Sequence, residues 1–250
     1  MEVSKRDLQA HDEHHIHGER HFLARVSDYL GEFVYGGIDG AITTFAVVAG
    51  AAGAGLESSI VIILGFANLI ADGFSMSVGS FLSKKSEIQN YNKHKKIEYW
   101  EVENIPEKER EEIREIYAAK GFKGELLDQV VATITADKDR WVDVMMKEEL
   151  EMAEESKSPF AMGLITFLSF IIMGFVPLII YVIDFLGNIE VQLFTVSSFL
   201  TGLTFVGIGY LKSLVTNTGK IRSIFETLIL GGAAATLSYY VGYFLERLIS

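Results

Sequence analysis

The sequence predicts an all-α membrane protein with five transmembrane helices and a helical cytoplasmic domain inserted between the second and the third. Five apolar blocks each reach the ~20 residues that a helix needs to cross the hydrocarbon of a bilayer. None of the 22 Lys and Arg residues falls inside a block, and no segment alternates like a β-strand. Five helices of this length and purity would be very unusual in a soluble core. The blocks are 33–56, 58–83, 159–183, 191–211 and 223–245.

Four parts follow one another along the chain. They are a polar, His-rich arm (1–31), a hairpin of the first two spans (32–83), a charged helical domain (84–158) and a unit of three spans (159–250). In the charged domain, nothing breaks the helix that continues the second span until Pro106, where another helix begins and runs to Gly121. Two further helices precede Pro159. Pro177 predicts a kink in the third span.

The basic residues predict the orientation in the membrane. Four precede the first span, fourteen lie between the second and third, and three lie between the fourth and fifth, whereas the opposite side has only Arg247. Because cytoplasmic loops carry the excess of Lys and Arg, the N-terminus and the charged domain are expected in the cytoplasm and the C-terminus on the far side.

The overall composition limits the partners and the metal chemistry. The net charge is −11 and no basic stripe is present, so nothing indicates a nucleic-acid partner. The chain has no cysteine, so a metal must be held by oxygen, imidazole or thioether. A set of histidines in the arm suggests weak capture of a transition metal: His11, His14, His15, His17 and His21.

Asp39 is an acid inside the first span, in the stretch "YGGIDGAITTFAVV". A lone carboxylate at membrane depth costs about 2.5–3.5 kcal/mol, and no span holds a Lys or Arg to neutralise it. The Asp39 carboxylate can be stabilised by a proton, by a hydrogen bond or by a metal ion. Asp39 could also be a protonated acid that has only a packing role, but acids inside a membrane more often serve a function.

The second span carries Asp72 and Met76 one helical turn apart, so they share a face. A short connection between the spans brings Met76 towards Asp39. Methionine alone is a common gap-filler in cores, and it becomes a candidate ligand only beside a carboxylate. Asp72 is a second ligand, a proton relay or a partner of Asn68, and the sequence leaves these open. Glu226, at one end of the last span, is expected at the membrane interface.

The charged domain repeats a spacing of three between glutamates, which places each pair on one helix face. Inward-facing carboxylate pairs from several helices build multi-metal sites, although a solvated acidic surface is the competing interpretation. Met145 and Met146 are interpreted as exposed methionines, which would suit a cluster that accepts a moderately soft cation. His94 lies on the same stripe and would extend the site, but solvated surface is favoured for it. The candidate metal ligands are Glu98, Glu101, Glu109, Glu112, Met145, Met146 and Glu149.

Three motifs together resemble the vacuolar iron transporter family: "GGIDGAITTFAVVAGAAGA", "ADGFSMSVGSFLSKKSE" and "WVDVMMKEE", with a Glu-rich stretch around Pro106. The resemblance implies a homodimer with a pore between the subunits, an ion path lined by Asp39 and Met76, and a cytoplasmic metal-binding domain that uses the glutamates and methionines above. In one departure, some relatives have a glutamate where this chain has Asn68.

The resemblance also implies the activity, a secondary transporter rather than an enzyme. Fe²⁺, and with similar ligands Mn²⁺, Co²⁺ or Zn²⁺, would leave the cytoplasm in exchange for protons. The membrane would be the cell membrane in a microbe and the vacuolar membrane in a plant or fungus. Two alternatives stay open. One is a membrane-anchored ferroxidase, against which the expected Glu-x-x-His motif is absent, and the other is a metal sensor without transport.

Overall fold

The computed structural model describes residues 29–187 and 189–249, and every regular segment within these ranges is helical. The predicted arm, with its five histidines, therefore lies almost wholly outside the described residues. The helices are α1 (Leu30–Gly53), α2 (Ser58–Asn104), α3 (Pro106–Ala119), α4 (Gly124–Thr135), α5 (Lys138–Glu148), α6 (Pro159–Phe175), α7 (Ile179–Gly187), α8 (Leu193–Thr216) and α9 (Lys220–Ile249).

Five stretches of helix are long and apolar enough to cross a membrane, which confirms the predicted all-α class and the five spans. They are α1, the apolar part of α2, α6 with α7, α8 and α9. The boundaries differ slightly from the predicted blocks, because α1 begins at Leu30 and ends at Gly53. The turn that follows includes Gly55, whose φ of 63° is readily adopted only without a side chain.

α2 is much longer than a membrane span. Its 47 residues extend ~70 Å at 1.5 Å per residue, more than twice the hydrocarbon thickness of a bilayer. The sequence prediction that nothing breaks this helix before Pro106 is borne out, since α2 ends at Asn104. The chain divides into two compact units, one containing residues up to Phe81 and from Phe160 onward, and the other spanning Leu82–Pro159.

In the first unit, α1 packs backbone to backbone against its neighbours. A methyl group added at Gly40 would overlap the carbonyl oxygen of Phe170 on α6, and one added at Gly174 would lie 2.7 Å from the Gly40 carbonyl oxygen. On another side, the Ser238 hydroxyl of α9 donates to the Ala46 carbonyl at 2.5 Å. Small residues permit this close approach, which supplies van der Waals contact where lipid gives no hydrophobic drive. Asp39 therefore immediately precedes Gly40, whose backbone is packed closely against α6.

The third span changes its hydrogen bonding at the position where the sequence predicts a kink. A 3₁₀ turn, Val176–Leu178, separates α6 from α7 and contains Pro177, which lacks an N–H for the helical ladder. The buried Ser197 hydroxyl of α8 donates to the Pro177 carbonyl at 2.7 Å. A neighbouring helix thus supplies a hydrogen bond to the Pro177 carbonyl at the break in the third span.

The second unit has a hydrophobic core of its own, built from the end of α2 and from α3, α4 and α5. Its centre is dry, since Ile113 and Val142 are fully buried. The Asp137 carboxylate caps α5 by accepting from the Arg140 backbone N–H at 2.8 Å. The buried members are Tyr91, Val102, Ile113, Leu127, Val131, Ile134, Trp141, Val142, Met145 and Met146.

Candidate functional site

Three glutamates meet where α2 gives way to α3. Carboxylate oxygens of Glu98, Glu101 and Glu109 all lie within 4.8 Å of one another. Glu98 and Glu101 share a face near the end of α2, and Ile105 alone separates α2 from α3, which carries Glu109 in its first turn. The one-residue break between the helices therefore brings the glutamate pair of α2 close to the glutamate pair of α3.

Glu98 and Glu109 are buried, with side chains only 4% and 2% exposed. Oxygen Oε2 of each has no hydrogen-bond partner within the described part of the chain. Burial, followed by repulsion from neighbouring glutamates, raises the pKa of each to about 7. A buried carboxylate without a partner is costly, so each needs a proton or a cation.

Glu112 and Glu149 lie close enough to these three glutamates to interact with them electrostatically. Both repel Glu98, and both repel Glu109. The pKa of Glu149 is itself raised, first by burial and then by Glu112 and Glu101. The exposed Lys108 offers partial compensation, with its Nζ 3.3 Å from an oxygen of Glu112. All five predicted glutamates therefore interact, and we call Glu98, Glu101, Glu109, Glu112 and Glu149 the carboxylate cluster.

The interpretation of Met145 and Met146 as exposed residues is wrong. Both are fully buried in the hydrophobic core of the second unit. The reason is their spacing of four from Trp141 and Val142, which places the four side chains on one inward face of α5. Packing alone thus accounts for their apolar character, and their role as thioether ligands stays a prediction.

His94 is half-buried on α2 and does not belong to the group of mutually close carboxylates, Glu98, Glu101 and Glu109, that the described residues form. The carboxylate cluster is therefore an all-oxygen set in the described structure.

The first unit brings two acids together. Asp39 on α1 and Asp72 on α2 are both half-buried and close enough for their charges to repel each other. Met76, one turn after Asp72, packs against a hydrophobic cluster that includes Phe170. The predicted approach of Met76 to Asp39 stays a prediction.

Two other polar groups of the spans differ in their surroundings. The Asn68 side-chain N–H₂, one turn before Asp72, is buried with no partner among the described residues. Glu226 instead accepts from Lys212 at 3.0 Å and from Arg222 at 2.9 Å. These ion pairs make Glu226 an unsuitable cation carrier.

Residues 30–243 match the model of the VIT family. The chain belongs to the VIT family. Among its relatives, the vacuolar iron transporter of Toxoplasma gondii is 35% identical over 230 residues, 89% of this chain and 76% of that protein. The vacuolar iron transporter of Plasmodium falciparum is 33% identical over 97% of this chain and 92% of its own. Vacuolar iron transporter 1 of Tulipa gesneriana is 32% identical over 89% of each.

The range that matches the VIT family contains both the carboxylate cluster and the two membrane acids. Sequence reasoning missed a buried, ion-paired residue of the second unit. Lys84, 8% exposed, forms ion pairs of 2.7 Å with Glu87 and Glu155. Its spacing of three from Glu87 was a signal for one pair, whereas nothing local indicated Glu155.

Proposed function

We propose that this VIT-family chain transports Fe²⁺, and by the same ligand chemistry Mn²⁺, out of the cytoplasm in exchange for protons. The observation that carries the proposal is the carboxylate cluster, in which two buried glutamates each have an unpartnered oxygen. The names of the relatives support iron as the cargo.

The carboxylate cluster is the site at which the cation first binds. Its carboxylates repel one another, so a divalent cation relieves several unfavourable charges at once. Oxygen ligands accept Mn²⁺ and Fe²⁺ readily, and thioether from Met145 or Met146 would favour Fe²⁺, Co²⁺ or Zn²⁺ over Mg²⁺. Glu98 and Glu109 exchange their protons for the cation, because the ligand form of a carboxylate is ionised.

Asp39, Met76 and Asp72 supply the membrane step. No Lys or Arg lies in the apolar blocks, and the two acids repel each other at membrane depth. Such a pair is neutralised either by protons or by one divalent cation. The same carboxylates therefore bind both ions in turn, which couples cation movement in one direction to proton movement in the other.

The remaining features of the proposal concern the assembly. The distribution of basic residues supports an N-terminus and a second unit in the cytoplasm, with the C-terminus on the far side. The resemblance supports a homodimer, with lipid around it and the pore between subunits. The chain acts as a secondary transporter rather than an enzyme, in a cell membrane or a vacuolar membrane.

Uptake of Fe²⁺ or Mn²⁺ into proteoliposomes tests the proposal. Asp39→Asn removes the carboxylate that holds the ion but keeps the shape of the side chain, so uptake should fall to the level of empty vesicles. Metal binding by the carboxylate cluster should persist. Glu226→Gln is the matched control, since that acid is ion-paired, and it should retain uptake. Normal transport by Asp39→Asn would refute the membrane step.

A further inference from the structure

Residues 149–158 connect α5 to α6 without helix or strand, and we call them the strap. The strap begins with Glu149, a member of the carboxylate cluster. Most of its side chains are exposed. Two attachments stand out, one at each end.

The first attachment is at the end of α5. The Glu149 and Leu150 backbone N–H groups both donate to the Met145 carbonyl, at 3.0 and 3.2 Å, and the Met152 N–H donates to the Met146 carbonyl at 2.8 Å. Met152 also packs against the hydrophobic core. Between them, Glu151 has a φ of 52°, a left-handed conformation that is uncommon for a residue with a side chain. The start of the strap is thus tied to the two buried methionines.

The second attachment is Lys84, near the start of the second unit. Its side chain is 10% exposed, and its Nζ lies 2.7 Å from a carboxylate oxygen of Glu87 and 2.7 Å from one of Glu155. Glu87 belongs to the same helix, whereas Glu155 belongs to the strap. Burying an ammonium is costly unless it is paired, and removing one partner of such a pair is more damaging than never having it.

The length of the strap can be compared with the distance along α2 between the residues that it meets. Glu98 and Lys84 are fourteen residues apart on α2, which corresponds to ~21 Å. Glu149 and Glu155 are six residues apart, and a fully extended chain of that length reaches ~20–22 Å. The strap is not fully extended, because Glu149 has helical dihedral angles and Glu151 is left-handed, and the long side chains of Lys84 and Glu155 cover the remaining distance.

We propose that Lys84 is a positioning residue for the metal site: by holding Glu155, it keeps the strap against α2 and so supports the end of α5, where Glu149 faces the other four carboxylates. The inference rests on the proposed function of the cluster and adds a residue that contacts no metal. Groups that orient metal ligands typically contribute 10–100-fold to affinity. Lys84 acts on one ligand of five, so we expect an effect at the lower end, about tenfold.

The sign of the effect separates positioning from electrostatics. Replacing a lysine by a neutral residue removes a positive charge near a cation site, and by charge alone this strengthens cation binding. The proposal predicts the reverse for Lys84→Met. Lys93→Met is the matched control, because Lys93 is exposed and lies nearer to Glu98 along α2. It should leave the affinity unchanged or raise it.

The experiment measures Mn²⁺ binding to the purified full chain in detergent, in an Asp39→Asn background that removes the membrane site. Binding lost in Glu98→Gln defines the cluster. Lys84→Met and Glu155→Gln should each weaken that binding about tenfold, and the double variant should lose no more than either alone. Glu154→Gln, an exposed neighbour on the strap, controls for the lost negative charge.

The charge-swapped variant, Lys84→Glu with Glu155→Lys, should recover most of the affinity, since it restores the pair. Glu155→Gln leaves the Lys84 ammonium paired with Glu87, so this variant is expected to fold even if Lys84→Met does not, and melting curves check both. Unchanged or tighter binding in Lys84→Met and Glu155→Gln overturns the inference. Insensitivity of Mn²⁺ binding to Glu98→Gln instead overturns the proposed role of the cluster.

Discussion

At Glu98 and Glu109, burial and mutual repulsion act in the same direction. Both favour the protonated form, and together they raise the pKa of each carboxyl from the ordinary 4.5 to about 7. A pH near neutrality is therefore close to the point at which, under the proposed function, these residues would exchange protons for a cation.

The raised pKa values predict how the stability of the metal-free protein depends on pH. Between pH 4.5 and pH 7 the folded state keeps protons that the unfolded state has lost, so stability decreases as the pH rises. The contribution is complete below about pH 4.5 and is lost as the pH passes through about 7. The double variant Glu98→Gln with Glu109→Gln should lack this decline.

Melting temperatures in detergent with a chelator, measured from pH 5 to pH 8, check the prediction. The wild-type protein should melt progressively lower than the Gln variant as the pH rises. Glu103→Gln with Glu107→Gln, two exposed acids beside the cluster, is the control and should follow the wild type. A constant difference across the range would contradict the assignment.

The sequence predicted which glutamates meet but not how they are buried. Spacings of three on two helices were enough to pair Glu98 with Glu101 and Glu109 with Glu112. Burial depends on tertiary contacts that no local pattern contains, such as those of Ile113 and Val142 with the core. The methionines are the opposite case, because the repeat of four from Trp141 to Met145 is a local pattern that already predicts their inward face on α5.

At the scale of helices, α1 and α6 approach through glycine. Length and apolar composition were sufficient to predict the spans, and Pro177 indicated the break in the third. The glycines of the spans do not identify the partners of this packing, because a small residue shows where a backbone can approach and not which backbone does. The structure places Gly40 of α1 against the carbonyl of Phe170.

Gly40→Ala is therefore expected to destabilise the packing of α1 against α6. The added methyl overlaps backbone, which cannot move aside as a flexible side chain would. The cost should be of the 1–3 kcal/mol typical of overpacked cores, and it should appear as a lower melting temperature in detergent.

Gly207→Ala is the matched control on α8, since nothing in the described structure lies within 4 Å of a methyl group there. Alanine is favoured over glycine inside a helix, so this variant should melt at the wild-type temperature or slightly higher. Equal melting temperatures for Gly40→Ala and Gly207→Ala would contradict the described contact between α1 and α6.

At the scale of the whole chain, the two units differ in their charged residues. The apolar blocks contain carboxylates but no Lys or Arg, and the second unit concentrates glutamates beside its own buried core. Under the proposed function, each unit therefore contributes acids that a cation can bind. The sequence predicted this division from charge alone, whereas the electrostatic contact between Asp39 and Asp72 required the fold.

The most direct test of the account measures metal and protons together in one preparation. Proteoliposomes containing the full chain are loaded with a metal-sensitive dye and a pH-sensitive dye, and Fe²⁺ is added under anaerobic conditions with the vesicle interior acidic. The account predicts Fe²⁺ uptake that alkalinises the interior, and loss of both signals in Asp39→Asn. Fe²⁺ uptake without proton movement, or no uptake while the carboxylate cluster still binds metal, would contradict proton-coupled transport.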